Sequence, residues 1–276
     1  MLQTSQTPSF IHQFNSKPYF HQQKTMALHH GRSLSFPSSS HPALSHFDEN
    51  ISRLRSSEAA CSSLSSINAT INSLKNLYES IDDLLLLPHI QQIVSEESVD
   101  DYISLLDACS TVKDLVSLAK QDLRDLLSAV RRKDAKGING YLASRKRSKK
   151  MIQKCLKKLR RSSASTTSEN VSMLKDAESV AISLLESLLS YTLGTKMQET
   201  KSSWSLVSKL IQSKKASDDE NEFNKVDSLL QVNQENELVN HLKEMDSSIQ
   251  VLEEELESVF RQLIKTRVSL LNILNH

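Results

Sequence analysis

A long tract without proline is the feature that most constrains how this 276-residue chain folds. Pro88 is the last proline, so residues 89–276 contain none, and they contain only three glycines. Proline removes a backbone donor and clashes with the preceding helical turn, so helix interiors exclude it. Sheet proteins need frequent turns, which draw heavily on glycine and proline. The tract therefore predicts long helices with few connections, and we expect an all-α protein.

Apolar residues that recur every three or four positions place the helices. The first predicted helix covers about 40 residues from Phe47 and ends at Pro88, because the residue before a proline disfavours helical geometry. A second helix is predicted from a cap at Ser98, with Asp101 three residues later. The pattern predicts the remaining elements as follows: a break at Gly137 and Gly140, a helix over 141–161, a helix over 169–194, a less regular helix over 196–214 and a loop over 216–222.

The last helix has the most regular pattern, because its apolar residues keep heptad spacing over five repeats. These residues are Leu238, Leu242, Met245, Ile249, Leu252, Leu256, Val259, Leu263, Thr266, Leu270 and Ile273. Sustained spacing of this kind specifies packing against another helix along a narrow seam. We predict a bundle of about five long antiparallel helices in one chain, with this coiled-coil-like helix at its C-terminal end. A monomer is expected, and a coiled-coil dimer is the alternative.

The N-terminal segment differs from the rest in composition. Residues 1–47 contain no Asp or Glu, but they contain nine serines, four prolines and six of the nine histidines. Such a segment has too few apolar residues to form a core, so a disordered arm is predicted over residues 1–44, ahead of a bundle domain over 45–276. The low acid content and high serine content also fit a plastid transit peptide, which is the alternative.

Charge is strongly segregated although the formal net charge of the chain is only +1. Residues 131–161 carry 14 basic and one acidic side chain. Two segments are acidic: residues 48–130 carry six basic and 14 acidic side chains, and residues 218–257 carry two basic and 13 acidic ones. Within 131–161 the apolar residues lie in the second half, and the same stripe extended backward reaches Lys149 and Arg145. Burial of an unpaired charge is costly, so the first half of this basic helix is predicted to project into solvent or to meet a polyanion, while the second half packs.

Five basic residues in that first half are therefore candidate partner-binding residues: Arg145, Lys146, Arg147, Lys149 and Lys150. An anionic membrane surface, nucleic acid phosphates and a nuclear import receptor are the candidate partners. The alternative is a solvated face that pairs with the acidic segments of the same chain. Ser144, Ser148, Ser162 and Ser163 lie in or beside this basic helix and are candidate phosphorylation sites.

No pattern in the chain predicts catalysis. The sequence contains no phosphate-binding glycine loop, no HExxH motif and no CxxC pair, and its three cysteines are far apart. We therefore predict a non-enzymatic protein with no catalytic, cofactor-binding or metal-binding residues and no small-molecule substrate. No apolar run approaches the ~20 residues that span a bilayer. A cytoplasmic location is predicted, with the peripheral membrane, the nucleus and the plastid as alternatives.

Two segments carry a family resemblance. RSLSFPSSSHP (residues 32–42) and LEEELESVFRQLIKTRVSLLNILNH (residues 252–276) resemble the opening and closing signatures of a plant-specific family similar to the BYPASS proteins. The resemblance covers roughly residues 26–276. It implies a role in root and shoot development and in long-distance signalling, with no established enzyme activity or cofactor. Packing of the last helix does not require three basic residues of the closing segment, so we expect Arg261, Lys265 and Arg267 to face the acidic helices or a protein partner.

Overall fold

Eight α-helices make up the part of the chain that the computed structural model describes, namely residues 41–57, 63–164, 172–194, 221–232 and 234–275. In chain order they are α1 (Pro42–Ser57), α2 (Leu64–Leu84), α3 (Pro88–Gln91), α4 (Glu96–Arg131), α5 (Ala135–Ala164), α6 (Ser172–Leu193), α7 (Glu222–Val232) and α8 (Glu235–Leu274). These ranges contain no strand, so the prediction of an all-α protein is confirmed. Residues 1–40 of the predicted arm and the helix predicted over 196–214 lie outside the described ranges.

The first predicted helix is in fact divided into α1 and α2. Ser63 is the N-cap of α2: its hydroxyl accepts a hydrogen bond from the backbone N–H of Ser66, while its own N–H donates to Ser66 Oγ. This reciprocal pair is a capping box with serine in place of the usual Glu. The apolar spacing continues on both sides of the cap, so periodicity alone did not reveal the break.

Two other helix boundaries differ from the predictions by a few residues. Helix α2 ends at Leu84, and Pro88 instead begins α3, where its missing N–H would be unpaired in any case. Ser95 rather than Ser98 caps α4, because the Ser95 hydroxyl accepts a hydrogen bond from the N–H of Ser98. Ser98 itself lies inside the first turn of α4.

The predicted break at Gly137 and Gly140 is wrong, because both glycines lie inside α5. The turn from α4 falls just before them, where Asp134 caps α5 by accepting a hydrogen bond from the N–H of Lys136 at 3.0 Å. A Cβ on Gly137 would lie 2.7 Å from the Cβ of Ala129. Glycine is therefore needed there for close packing of α5 on α4.

The heptad residues of α8 line a buried seam as predicted. Leu238 through Leu270 of that set are buried, and Ile273 is partly buried. The seam packs mainly against α4 and α2 of the same chain. Cross-helix contacts show that α8 runs antiparallel to α4 and parallel to α2. The helices of the bundle are therefore not all antiparallel to their spatial neighbours.

Candidate interaction surface

Helix α5 carries most of the concentrated positive charge, and one of its sides is buried between α4 and α6. The apolar residues predicted for its second half behave as expected, since Ile152, Leu156 and Leu159 are buried and Cys155 is partly buried. The buried side continues through the first half of the helix at the same spacing, through Ser148, Arg145 and Tyr141. The prediction that the whole first half projects into solvent is therefore wrong.

Arg145 is the residue that departs most from the prediction, because only 6% of its surface is exposed. Its Nη1 donates a hydrogen bond to the carbonyl oxygen of Thr192 at 2.8 Å, and its guanidinium carbon lies 4.9 Å from the ring centroid of Phe223. Both contacts favour a cation, because the helix C-terminus carries partial negative charge and the face of an aromatic ring attracts positive charge. Arg145 is thus a structural residue and cannot meet a partner.

Arg145 is one of three side chains that donate hydrogen bonds to carbonyl groups at the C-terminal end of α6 and of Gly194, which follows its last residue. Asn221 Nδ2 donates to the carbonyl oxygen of Tyr191, and Asn224 Nδ2 donates to that of Gly194, each at 2.9 Å. Gly194 has a φ of +83°, the left-handed geometry that commonly ends helices. The C-terminus of α6 therefore fixes both α5 and α7 in place.

The other polar residues on the inner edge of α5 also have partners within the bundle. Ser144 Oγ and Ser148 Oγ donate to the two carboxylate oxygens of Asp122, at 2.7 and 3.3 Å. Lys149 Nζ lies 3.2 Å from Asp227 Oδ2 on α7. Burial of Ser148 contradicts its prediction as a phosphorylation site, and Lys149 is already used in an ion pair.

The outer side of α5 presents an exposed row of bases, which we call the basic face. It consists of Lys146, Arg147, Lys150, Lys154, Lys157, Lys158 and Arg161. Their spacing of three and four residues places them on one side of the helix, over about 22 Å at 1.5 Å per residue. Within the described ranges none of the seven forms an ion pair. Three of the five predicted binding residues therefore belong to this face.

Three acidic residues of α8 pair with α4, and no ion pair between described residues joins α8 to the basic face. Arg124 Nε lies 2.6 Å from Asp246 Oδ1, and two further ion pairs join Lys113 to Glu257 and Lys120 to Glu253. On α5, the ion pairs between described residues are those of Lys149 and of Arg160, which lies 3.3 Å from Glu186. Pairing with the acidic segment of the same chain thus explains little of the charge on α5.

The three basic residues of the C-terminal segment have different surroundings. Lys265 Nζ lies 3.0 Å from Asp82 on α2, so it faces an acidic helix as expected. Arg261 is exposed and pairs with Glu257 one turn earlier in the same helix. Arg267 is partly buried, and its Nε has no hydrogen-bond partner among the described residues. A role for these three residues in partner binding stays a prediction.

Two kinds of chemical group in the described ranges are the possible metal ligands and the cysteine thiols. No group of three or more His, Cys, Asp or Glu side chains there is arranged to hold a metal ion. Burial raises the pKa of the Cys109 thiol to about 12 and also raises that of Cys155, so both favour the neutral form. None of the described helices combines the length and the apolar character needed to cross a membrane.

The fold and surface together define an α-helical bundle protein whose most distinctive exposed feature is a basic helix face. The chain belongs to the Protein BPS1 family, whose sequence model matches residues 70–273. This match confirms the resemblance to the BYPASS-like plant family, and it is consistent with a regulator of plant development. Comparisons with curated proteins and with solved structures gave no match.

Proposed function

We propose that this protein is a non-enzymatic interaction protein that regulates root and shoot development in plants, and that the basic face of α5 is its binding surface for an acidic partner. Family membership supports the developmental part of the proposal. The seven bases without ion pairs in the described ranges support the binding part. We expect the protein to act as a monomer in the cytoplasm, without a cofactor.

The close spacing of the bases is the observation that carries the proposal. Pairs such as Lys146 with Lys150 and Lys150 with Lys154 are four residues apart on one helix side. Each like-charge pair of this kind destabilises a helix by roughly 0.2–0.5 kcal/mol. An acidic partner would remove this repulsion, so the surface is better suited to a bound state than to an isolated one.

The anchoring of α5 also supports a binding role. Arg145 and Lys149 hold its inner edge to α6 and α7, while Ser144 and Ser148 hold it to α4. The side chains of the basic face therefore project from a backbone that is already fixed. A fixed backbone lowers the entropy lost on binding, although the long side chains themselves must still be ordered.

A test of this function compares two charge variants in plants that lack the native protein. The first variant is Lys146→Gln, Arg147→Gln and Lys150→Gln on the basic face. The matched control removes three exposed charges from α1 and α8: Arg53→Gln, Arg55→Gln and Lys243→Gln. We expect the native protein and the control to restore root and shoot growth, and the basic-face variant to fail.

The outcome is interpretable only if both variants fold, which circular dichroism and thermal unfolding establish. All six positions are exposed, so we expect changes in the free energy of unfolding within about 0.5 kcal/mol. Full restoration of growth by a folded basic-face variant would show that the face is not the functional surface. A non-enzymatic protein should depend on its binding surface alone. Substitution of a single polar residue away from that surface should therefore leave root and shoot growth unchanged.

A further inference from the structure

We propose that the partner of the basic face is the surface of an anionic membrane, to which the protein binds peripherally. This inference rests on the proposed function, because it names the partner of that same surface. Three observations support the membrane as partner: the layout of the bases, the exposed apolar residues beside them and the burial of the aromatic residue of α5.

The layout of the bases suits a flat partner. The inner side of α5 packs on α4 and α6, so its outer side is the part that faces solvent. The basic face extends along about four helical turns, roughly 22 Å, in a nearly straight row. A plane of anionic headgroups can contact all seven bases at once without bending of either surface. The phosphates of a nucleic acid duplex lie along a curved groove, so a straight protein helix can contact them over a shorter length than it can contact a flat membrane.

Two exposed apolar side chains border the basic face on opposite edges. Leu142 lies one turn before Lys146, and Met151 lies one turn after Arg147. Their surfaces are 47% and 48% exposed. A membrane interface provides both anionic headgroups and an apolar boundary for such residues. Phosphate groups of a nucleic acid provide a partner for the bases but none for these two side chains.

Single-stranded nucleic acid is disfavoured by the position of the aromatic residue of α5. Proteins that bind single strands stack bases on aromatic side chains, and each stack contributes strongly to affinity. Tyr141, the aromatic residue of α5, is buried with 4% of its surface exposed. The face therefore combines phosphate-binding charge with apolar borders and has no stacking platform.

The expected binding is electrostatic, reversible and sensitive to salt. Each basic residue near an anionic leaflet strengthens binding by roughly fivefold, and the effect falls off within a Debye length of about 8 Å. Three bases lost from the face therefore weaken binding on the order of a hundredfold. Charges lost from α1 and α8 have a smaller effect, of a few-fold or less.

The test is sedimentation of the full-length protein with vesicles of phosphatidylcholine, with or without phosphatidylserine. We expect binding only to vesicles that contain phosphatidylserine, and weaker binding at high salt. The variant of Lys146, Arg147 and Lys150, and a second variant with Lys154, Lys157 and Lys158 changed to Gln, should each lose about a hundredfold in affinity. The control at Arg53, Arg55 and Lys243 should bind nearly as well as the native protein.

A Met151→Ser variant separates a membrane from other polyanions. It should weaken vesicle binding by roughly threefold, because apolar surface no longer enters the interface, and should leave binding of an RNA homopolymer unchanged. Absence of binding to phosphatidylserine vesicles, or equal loss in the control, would overturn the membrane inference. Tighter binding of the RNA homopolymer, dependent on the basic face, would also overturn it but would leave the proposed interaction role intact. The proposed function itself falls only with the plant experiment above.

Discussion

Arg145 Nη1 and the carbonyl oxygen of Thr192 lie 2.8 Å apart, and this contact joins α5 to the C-terminus of α6. The sequence places Arg145 beside Lys146 and Arg147, yet its neighbours face solvent while Arg145 is buried. Adjacent helical residues point in directions about 100° apart, so one run of bases serves two roles. One base stabilises the bundle, and the others form the basic face.

The first prediction concerns the different roles of these neighbouring arginines. Arg145→Ala removes a charge-assisted hydrogen bond and the contact with the Phe223 ring, and it leaves a cavity. We expect it to lower the free energy of unfolding by about 2–4 kcal/mol. Arg147→Ala, on the exposed side, should change it by less than about 0.5 kcal/mol. Urea unfolding of the two variants measures both values, and equal effects would contradict the burial of Arg145.

The second prediction concerns negative charge at Ser148. Its hydroxyl is buried and donates to Asp122, so Ser148→Glu would place a second carboxylate against the first. Like charges at this distance in a buried site are unfavourable, and we expect a loss of about 3 kcal/mol or more in the free energy of unfolding. Ala143→Glu, at an exposed position of the same helix, is the matched control and should be nearly neutral. Thermal unfolding of the Ser148→Glu and Ala143→Glu variants measures the difference. A Ser148→Glu protein as stable as the native one would contradict the burial of Ser148 against Asp122.

The third prediction concerns the pair of Lys120 and Glu253, which joins α4 to α8. Lys120 is buried and also contacts Gln250. Burial acts to raise the pKa of Glu253, but hydrogen bonds from Lys120 and Ser117 outweigh it and hold the pKa below its usual range. The stabilisation is therefore present above the ordinary carboxyl pKa and is lost as the pH falls through the lower folded value.

A double-mutant cycle with Lys120→Met and Glu253→Gln measures this pair. Each single change leaves a polar partner unsatisfied, so we expect losses of about 1–3 kcal/mol for Lys120→Met and less for Glu253→Gln, which is more exposed. The double variant should lose less than the sum, with a coupling energy of about 1–2 kcal/mol at neutral pH. Strict additivity of the two changes would show that the contact contributes nothing.

The fourth prediction concerns the pH dependence contributed by Glu178 on α6. Burial raises the pKa of Glu178 from 4.5 to about 7, with a further rise from Asp101 and an opposing effect of Lys175. It lines a cleft with Asp107, Cys155 and Lys158. Between pH about 4.5 and about 7 the folded protein binds a proton at Glu178 that the unfolded chain has released, so this group makes the protein less stable as the pH rises.

Glu178→Gln removes this ionisation and should make the protein relatively more stable at high pH. We expect the variant to gain in free energy of unfolding, relative to the native protein, at about pH 8 and to differ little at about pH 4. Urea unfolding across that range measures the difference, and the comparison with the native chain cancels other titrating groups. A Glu178→Gln variant whose difference does not change with pH would contradict the raised pKa.

Much of the fold followed from local sequence features, and the errors have identifiable causes. The absence of proline after Pro88 correctly predicted an all-α protein, and the heptad spacing correctly predicted a buried seam on α8, because both patterns report backbone geometry directly. The break at Ser63 was missed because a serine capping box has a weak signature within a continuous apolar pattern. Glycine at position 137 predicts a break, but close packing against Ala129 is what requires glycine there.

The sequence predicted only part of the candidate surface, because burial of a side chain depends on contacts between helices that are distant in sequence. The sequence located the concentration of bases and identified Lys146, Arg147 and Lys150, which are exposed. It did not identify Lys154, Lys157, Lys158 and Arg161 as members of the same face, although their spacing was a usable signal. Burial of Arg145 depends on the C-terminus of α6 and on Phe223 of α7, which are distant in sequence. No local pattern could report those contacts.

The amino-acid sequence by itself determined that the chain is helical, where the most regular helix lies and which segment concentrates positive charge. These properties depend on backbone propensity and on side-chain spacing, which are local. Only the tertiary structure decided that acidic residues of α8 pair with α4, and that the bases of α5 divide between the core and solvent. Those outcomes depend on which helices become neighbours, and the free energy of placing a charge is set by the groups that surround it after folding.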